Sequence, residues 1–149
     1  MLYSVVIKTY PSNSFPACIP NRSEILMTII LLIEDISDNV ELVRKALSPR
    51  GYEVVNAPDA ETGLQLALAI IPDLILLDLG LPDYDGQTLA GWLRAESVLD
   101  DTPIVAFTAW PQETAKKMVD SYGCNGYISK PIVKVNEFAA QVASYLKTP

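Results

Sequence analysis

From Thr28 onward, the chain alternates between two patterns of apolar residues. Short segments typical of strands occur at residues 28–33, 53–57, 74–78, 103–108 and 126–129, and the continuous apolar run at 28–33 is typical of a strand buried on both faces. After each segment, apolar residues recur at helical spacing, at residues 37–51, 59–70, 86–96, 112–123 and 135–146. Five strands alternating with five helices predict an α/β fold with one parallel sheet, right-handed crossovers and helices on both faces.

Local signals predict where the ordered part of the chain begins. Residues 9–23 contain three prolines and follow neither period, so residues 1–26 are predicted to be an irregular N-terminal extension, with one domain over residues 27–149. At the start of the first helix, Asp38 with Glu41 three residues later fits a capping box.

Composition excludes several classes of function. The 149 residues carry a net charge of −7, which argues against a nucleic-acid binder. The chain has no histidine, which excludes Ser-His-Asp and Cys-His catalysis and histidine-ligated zinc. Cys18 and Cys124 match no metal or redox spacing and are interpreted as reduced thiols. The apolar run at residues 2–7 is too short to span a membrane, so we expect a cytoplasmic protein.

Acidic residues follow two of the predicted strands. Glu34 and Asp35 come directly after the first strand, and Asp78 ends the third. Such sheets place their sites beyond the carboxyl ends of the strands, where the strand order reverses. Carboxylates gathered there repel by ~1 to 4 kcal/mol per pair, and Mg²⁺ with its preference for oxygen ligands would offset this. Alternatively, Glu34 and Asp35 serve the N-terminus of the first helix through its dipole.

Two more strand ends add a hydroxyl and a positive charge. Thr108 ends the fourth strand and Lys130 follows the fifth. Taken alone, Thr108 is also explained as a β-branched strand residue, and Lys130 as a solvated surface lysine. Together with the acids, they supply the donors that a phosphoryl group on a carboxylate needs. Asp83 and Asp85 lie in the loop after the third strand, where turn chemistry and the next helix's dipole account for them without catalysis.

Four segments carry a resemblance to a known family. "IEDISDN", "PDLILLDLGLPDYDG", "PIVAFTA" and "GYISKPI" resemble, in order and spacing, the receiver domain of bacterial two-component response regulators, the CheY-like family. The resemblance runs from about Met27 to the end. It implies a receiver domain over residues 27–149, with a flavodoxin-like, doubly wound sheet of five parallel strands in the order 2-1-3-4-5 and five helices.

The resemblance also implies a metal site and a phosphoacceptor. Asp78 would accept a phosphoryl group from the phosphohistidine of a histidine kinase or histidine phosphotransfer protein. Glu34, Asp35, Asp78 and the backbone carbonyl of Gly80 would bind Mg²⁺. No activity is implied beyond self-phosphorylation from a phosphodonor and autodephosphorylation.

Signalling in this family depends on the other two strand ends. Thr108 and Lys130 would act beside Asp78, and Thr108 with Tyr127 would switch the surface of the fourth helix, fifth strand and fifth helix for a downstream target. The bond between Lys130 and Pro131 is expected to be cis. The chain is similar to single-domain regulators, including the DivK type. We expect a monomer or weak dimer that binds neither nucleic acid nor membranes.

Three residues depart from those of common family members. Glu34 replaces the more frequent Asp, Gly80 offers no side chain beside the acyl phosphate, and Trp110 either narrows the path of water or packs on the fourth helix.

Two other classes of protein are alternatives to a receiver domain. Phosphatases of the haloacid-dehalogenase type are one, but they require an acid where Gly80 stands. The remaining alternative is a non-catalytic receiver-like protein-interaction module.

Overall fold

A computed structural model of the protein describes residues 27–146, so the predictions for residues 1–26 lie outside the described part. The five strands form one parallel sheet in the order β2-β1-β3-β4-β5, as expected. Their bounds are β1 Thr28–Ile33, β2 Tyr52–Ala57, β3 Leu74–Asp78, β4 Ile104–Thr108 and β5 Gly126–Ser129. The predicted fold class is therefore confirmed.

Five α-helices connect and follow the strands. They are α1 Ser37–Leu47, α2 Ala60–Ile70, α3 Gly86–Ala95, α4 Gln112–Tyr122 and α5 Val135–Tyr145, with short 3₁₀ turns at Ser48–Arg50 and Ser97–Leu99. Gly51 ends the first of these turns in the left-handed region, at a φ of 83°. Within residues 27–146, no helix is long and apolar enough to cross a membrane.

The sheet separates two hydrophobic cores because successive strand residues point to opposite faces. From β1, Ile30 and Leu32 join the core that also contains residues of α1 and α5. Leu31 and Ile33 join the other, with residues of α2, α3 and α4. The central strands are buried on both faces, which explains their continuous apolar sequences.

The predicted capping box of α1 is wrong. The N-cap residue is Ile36, which makes no side-chain capping bond, and Asp38 lies inside the first turn. Glu41 instead pairs with Lys45 one turn later, at 3.6 Å between Oε1 and Nζ. The N-cap therefore lies two residues earlier than the capping pattern suggests, and the helix begins at Ser37.

Cys124 has the free thiol that the sequence predicts. It is half-buried beside Met118, and burial raises the pKa of the Cys124 thiol to about 11. Such a thiol is almost entirely protonated at neutral pH. Cys18 lies outside the described residues.

Candidate functional site

The structure brings the three predicted acids together at one edge of the sheet. β1 and β3 are neighbours, with Ile33 paired to Leu77, so the residues that follow this pair lie side by side. Carboxylate oxygens of Glu34, Asp35 and Asp78 all lie within 4.8 Å of one another. This is where the chain crosses to opposite sides of β1, the switch point at which doubly wound sheets bind ligands.

Lys130, which follows the edge strand β5, also joins this cluster. Its Nζ lies 2.6 Å from Glu34 Oε1 and 3.3 Å from Asp78 Oδ1. The ammonium group also lies 4.9 Å from the ring centroid of Phe107, which gives its stem an apolar floor. Lys130 is therefore a fixed positive charge between two buried carboxylates.

Glu34 is the most buried of these acids, with none of its surface exposed. Burial raises the pKa of its carboxyl; the hydrogen bond from Lys130 opposes the rise, and neighbouring Asp78 adds to it. Glu34 Oε2 also accepts the N–H of Ile36 at 3.3 Å, and Oε1 accepts Asn39 Nδ2 at 3.0 Å. Glu34 thus both belongs to the acidic cluster and supports the start of α1.

Two asparagines support this edge and were missed from the sequence. Asn39 holds Glu34 from the first turn of α1. Asn56, on β2, donates from Nδ2 to the carbonyl oxygens of Leu32 at 3.0 Å and Glu34 at 3.1 Å. Asn56 carries no local signal because it acts across to β1, and Asn39 matches no spacing rule although it lies only five residues from Glu34.

Thr108 and Tyr127 share one face of the sheet beside the cluster. Thr108 is buried at the end of β4, where its Oγ1 accepts the N–H of Trp110 at 2.9 Å. Its hydroxyl hydrogen therefore remains available as a donor. Tyr127 is half-buried against the core that contains Ala106, and alternation along β4 places Thr108 on that same face.

Trp110 packs against this same core and is half-buried, which agrees with the packing role considered for it. The peptide bond between Lys130 and Pro131 is cis, as expected. The Lys130 N–H donates to the Thr108 carbonyl at 2.8 Å, so the loop after β5 stays registered with the end of β4.

The loop after Asp78, residues 79–85, is closed at its base. The Gly86 N–H donates to the Leu79 carbonyl at 3.2 Å. A Cβ on Gly86 would lie 2.7 Å from Leu79 Cα, so only glycine allows this close approach. Asp85 caps α3 by accepting the N–H of Thr88 at 2.8 Å, and this bond lowers the pKa of the Asp85 carboxyl. Near the start of the loop, the Gly80 N–H donates to Asp78 Oδ1 at 3.2 Å.

Asp83 contacts a different helix from the one expected. Its carboxylate accepts the N–H groups of Ala60 at 2.8 Å and Glu61 at 3.1 Å, at the start of α2, and that of Tyr84 at 3.0 Å. Desolvation works to raise the pKa of Asp83, but these backbone donors outweigh it and lower the pKa below its usual value. Asp83 thus serves a helix terminus, as predicted, but that of α2 rather than α3.

The residues present fit a hard divalent cation. Three carboxylates contribute oxygen atoms only, the ligand type that Mg²⁺ prefers, and the single ammonium of Lys130 leaves excess negative charge. Asp35 is exposed, so the cluster opens to water on one side. Water and phosphate oxygens can therefore complete the coordination that Mg²⁺ requires.

The doubly wound fold thus places an acidic cluster, with a strand-end aspartate, at its switch point. A family model described as "Response regulator receiver domain" matches residues 30–143, which is more than half of the chain. The chain therefore belongs to the response regulator receiver family. Members of this family typically use Mg²⁺ at the acidic pocket and interact with histidine kinases and downstream targets.

Individual relatives agree with this assignment. The polar-differentiation response regulator DivK of Brucella anthropi is 34% identical over 117 residues, covering 78% of this chain and 94% of the relative. Among solved structures, the chemotaxis response regulator CheY4 of Vibrio cholerae superimposes with a TM-score of 0.76 at 25% identity, covering 81% of this chain and 100% of that one. TrrA of Thermotoga maritima, solved in complex with Mg²⁺ and BeF, gives 0.70 at 26% identity over 80% and 100% of the two chains.

Proposed function

We propose that the protein is a phosphoacceptor of two-component signalling, with Asp78 as the phosphorylated residue. The observation that carries the proposal is the cluster at the sheet edge, where Lys130 bridges Asp78 and the fully buried Glu34. Asp78 ends a buried strand, so a rigid element holds the nucleophile in place. At 8% exposure, Asp78 is still open to a donor on one side.

Mg²⁺ would be held by Glu34, Asp35, Asp78 and the backbone carbonyl of Gly80. When bound, it supplies positive charge to the phosphoryl oxygens and offsets the charge that develops during transfer. The structure of the related TrrA was solved with Mg²⁺ and BeF, which supports the same cofactor for this chain.

In the transfer, a carboxylate oxygen of Asp78 attacks the phosphorus of a phosphohistidine on the partner. The new P–O bond gives an acyl phosphate, and the P–N bond breaks as the partner's imidazole leaves with the electron pair. Lys130, already within 3.3 Å of Asp78, offsets charge on the phosphoryl oxygens. Hydrolysis then requires a water that attacks the same phosphorus and restores the carboxylate.

Switching would use Thr108 and Tyr127. The Thr108 hydroxyl donates to the new phosphoryl group, and Tyr127 turns into the space that Thr108 leaves on their shared face of the sheet. The surface of α4, β5 and α5 then changes for a downstream partner. Coupling of ~1 to 3 kcal/mol would change partner affinity roughly 5- to 150-fold.

The partners would be a histidine kinase or phosphotransfer protein and a separate target. The match to DivK over 94% of its length supports a response regulator of that type. The alternative is a receiver-like module that binds partners without phosphorylation. The Glu34–Lys130–Asp78 arrangement favours the phosphoacceptor, because a pure interaction module has no need of a buried charge cluster.

Beryllofluoride, which substitutes for a phosphoryl group on a carboxylate, tests this proposal. In ¹⁵N-labelled protein, it should shift the amide signals of Thr108 and Tyr127 only when Mg²⁺ is present. Asp78→Asn should abolish these shifts. Thr108→Val should remove the shift of the Tyr127 amide signal, whereas the Gly80 amide signal should still respond to beryllofluoride. Shifts that persist in Asp78→Asn would refute Asp78 as the acceptor.

The decay of the phosphorylated form tests two of the three departures from the family, those at Gly80 and Trp110. A Cβ on Gly80 would have no heavy atom within 4 Å, so Gly80→Asn fits without disturbing the fold. We expect Gly80→Asn to slow hydrolysis by blocking water and Trp110→Ala to speed it. Loss of radiolabelled phosphate over time measures both rates, and unchanged rates in both variants would disprove these roles.

A further inference from the structure

One side chain of the loop that follows Asp78 hydrogen-bonds to the start of α2, in addition to the packing of Leu79 and Leu81 on the core and of Tyr84 against Trp92 of α3. Asp83 Oδ1 and Oδ2 accept the first two N–H groups of α2, those of Ala60 at 2.8 Å and Glu61 at 3.1 Å. These bonds join residues 22 and 23 positions apart in the sequence. They therefore tie residues 79–85 to a neighbouring crossover connection and do more than shape a local turn.

The N-terminus of α2 already has a cap of its own. Asp59 accepts the N–H of Thr62 at 2.8 Å, as N-cap aspartates do. The N–H groups at the first two helical positions have no partner inside the helix, and Asp83 supplies one to each. The two aspartates divide the work: Asp59 acts from within its own connection, and Asp83 acts from the phosphoacceptor loop.

The position of this loop determines the position of Gly80. The base is closed by the bond between Gly86 and Leu79, and Leu81 packs its half-buried side chain on the core. Gly80 itself is exposed, and an added Cβ would meet nothing within 4 Å. Its own side therefore offers no packing to hold the backbone, which is held instead by the Gly80 N–H bond to Asp78 Oδ1 and by the contacts of the rest of the loop.

We propose that Asp83 is a positioning residue for the metal site, holding the loop against α2 so that the Gly80 carbonyl stays where Mg²⁺ binds. The inference rests on the proposed function, since it assumes that Mg²⁺ uses this carbonyl. Asp83 acts on the metal only through the backbone of residues 80–82. Residues that orient metal ligands commonly change metal affinity 10- to 100-fold when they are mutated.

A titration with magnesium chloride tests this role. The Gly80 amide signal of ¹⁵N-labelled protein reports binding at the loop itself, and its midpoint gives the Mg²⁺ dissociation constant. Asp83→Ala should raise that constant about 10-fold. Asp83→Asn keeps one oxygen acceptor and should give a smaller rise. Asp59→Ala is the matched control, because it removes a bond from the same end of α2 without touching residues 79–85.

The outcomes separate this inference from the proposed function. A thermal melt of each variant shows whether it is folded. A folded Asp83→Ala with wild-type Mg²⁺ affinity would overturn the inference and leave the proposed function standing. An equal loss of Mg²⁺ affinity in Asp59→Ala would also overturn the inference, because destabilisation of the α2 N-terminus would then explain the effect. If Asp83→Ala does not fold, Asp83→Asn must still raise the Mg²⁺ dissociation constant more than Asp59→Ala does. Failure of the wild type to bind Mg²⁺ would refute the proposed metal site and the inference together.

Discussion

Replacing Lys130 by Met removes the only positive charge that contacts the buried acids among residues 27–146 while keeping a long apolar side chain over Phe107. At an effective dielectric of 20, charges 2.6 Å apart attract by about 6 kcal/mol, most of which is offset by desolvation. Removing one partner of a buried pair typically costs 3 to 5 kcal/mol. Glu34 can take up a proton, since burial raises its pKa, so we expect the lower end, about 3 kcal/mol.

Urea denaturation at pH 7 measures this loss. Lys134→Met is the matched control, because Lys134 is 69% exposed and pairs with Glu137 at 3.6 Å on the surface. Exposed pairs contribute about 0 to 1 kcal/mol, so this variant should unfold near the wild type. Millimolar Mg²⁺ should recover part of the loss in Lys130→Met by supplying the missing positive charge. Equal midpoints for the two variants would refute the charge balance described for the site.

The loop makes two further predictions. Gly86→Ala should destabilise the protein by about 1 to 3 kcal/mol, because its Cβ would lie 2.7 Å from the backbone of Leu79. Gly80→Ala should leave the melting temperature nearly unchanged, because its Cβ would meet nothing within 4 Å. A larger loss of stability in Gly80→Ala than in Gly86→Ala would contradict this packing. Asp85→Ala should cost about 1 kcal/mol at pH 7. The Thr88 N–H lowers the pKa of Asp85 in the folded state, so its contribution is present above the unfolded pKa of about 4 and is lost as pH falls through the folded pKa. Denaturation between pH 7 and pH 3 should show the gap from wild type closing in acid, and a constant gap would exclude this role.

The sheet was predictable because its signals are local. Each central strand is buried on both faces, so its apolar run stands out, and acids at the ends of neighbouring strands must meet at one edge. Glu34, Asp35 and Asp78 were therefore placed correctly without coordinates. Lys130 was expected beside Asp78 but lies closer to Glu34, with its Nζ at 2.6 Å from Glu34 and 3.3 Å from Asp78, and no local pattern in the sequence distinguishes these two partners.

Two features were not predicted from the sequence, for different reasons. Asp38 and Glu41 match a capping pattern, yet Glu41 pairs with Lys45 of the same helix, which begins at Ser37. Asp83 lies next to α3 in the sequence, but the fold brings it to the start of α2, a partner that no spacing rule identifies. Glu41 thus has two locally acceptable partners, whereas a tertiary contact decides the partner of Asp83.

Phosphorylation of Asp78 is the central claim, and intact mass spectrometry tests it most directly. The protein is incubated with acetyl phosphate, with and without Mg²⁺, beside an Asp78→Asn control. If Asp78 is the phosphoacceptor, the protein should gain one phosphoryl group only when both Mg²⁺ and Asp78 are present. No gain from a donor that phosphorylates another receiver, or an equal gain in Asp78→Asn, would contradict it.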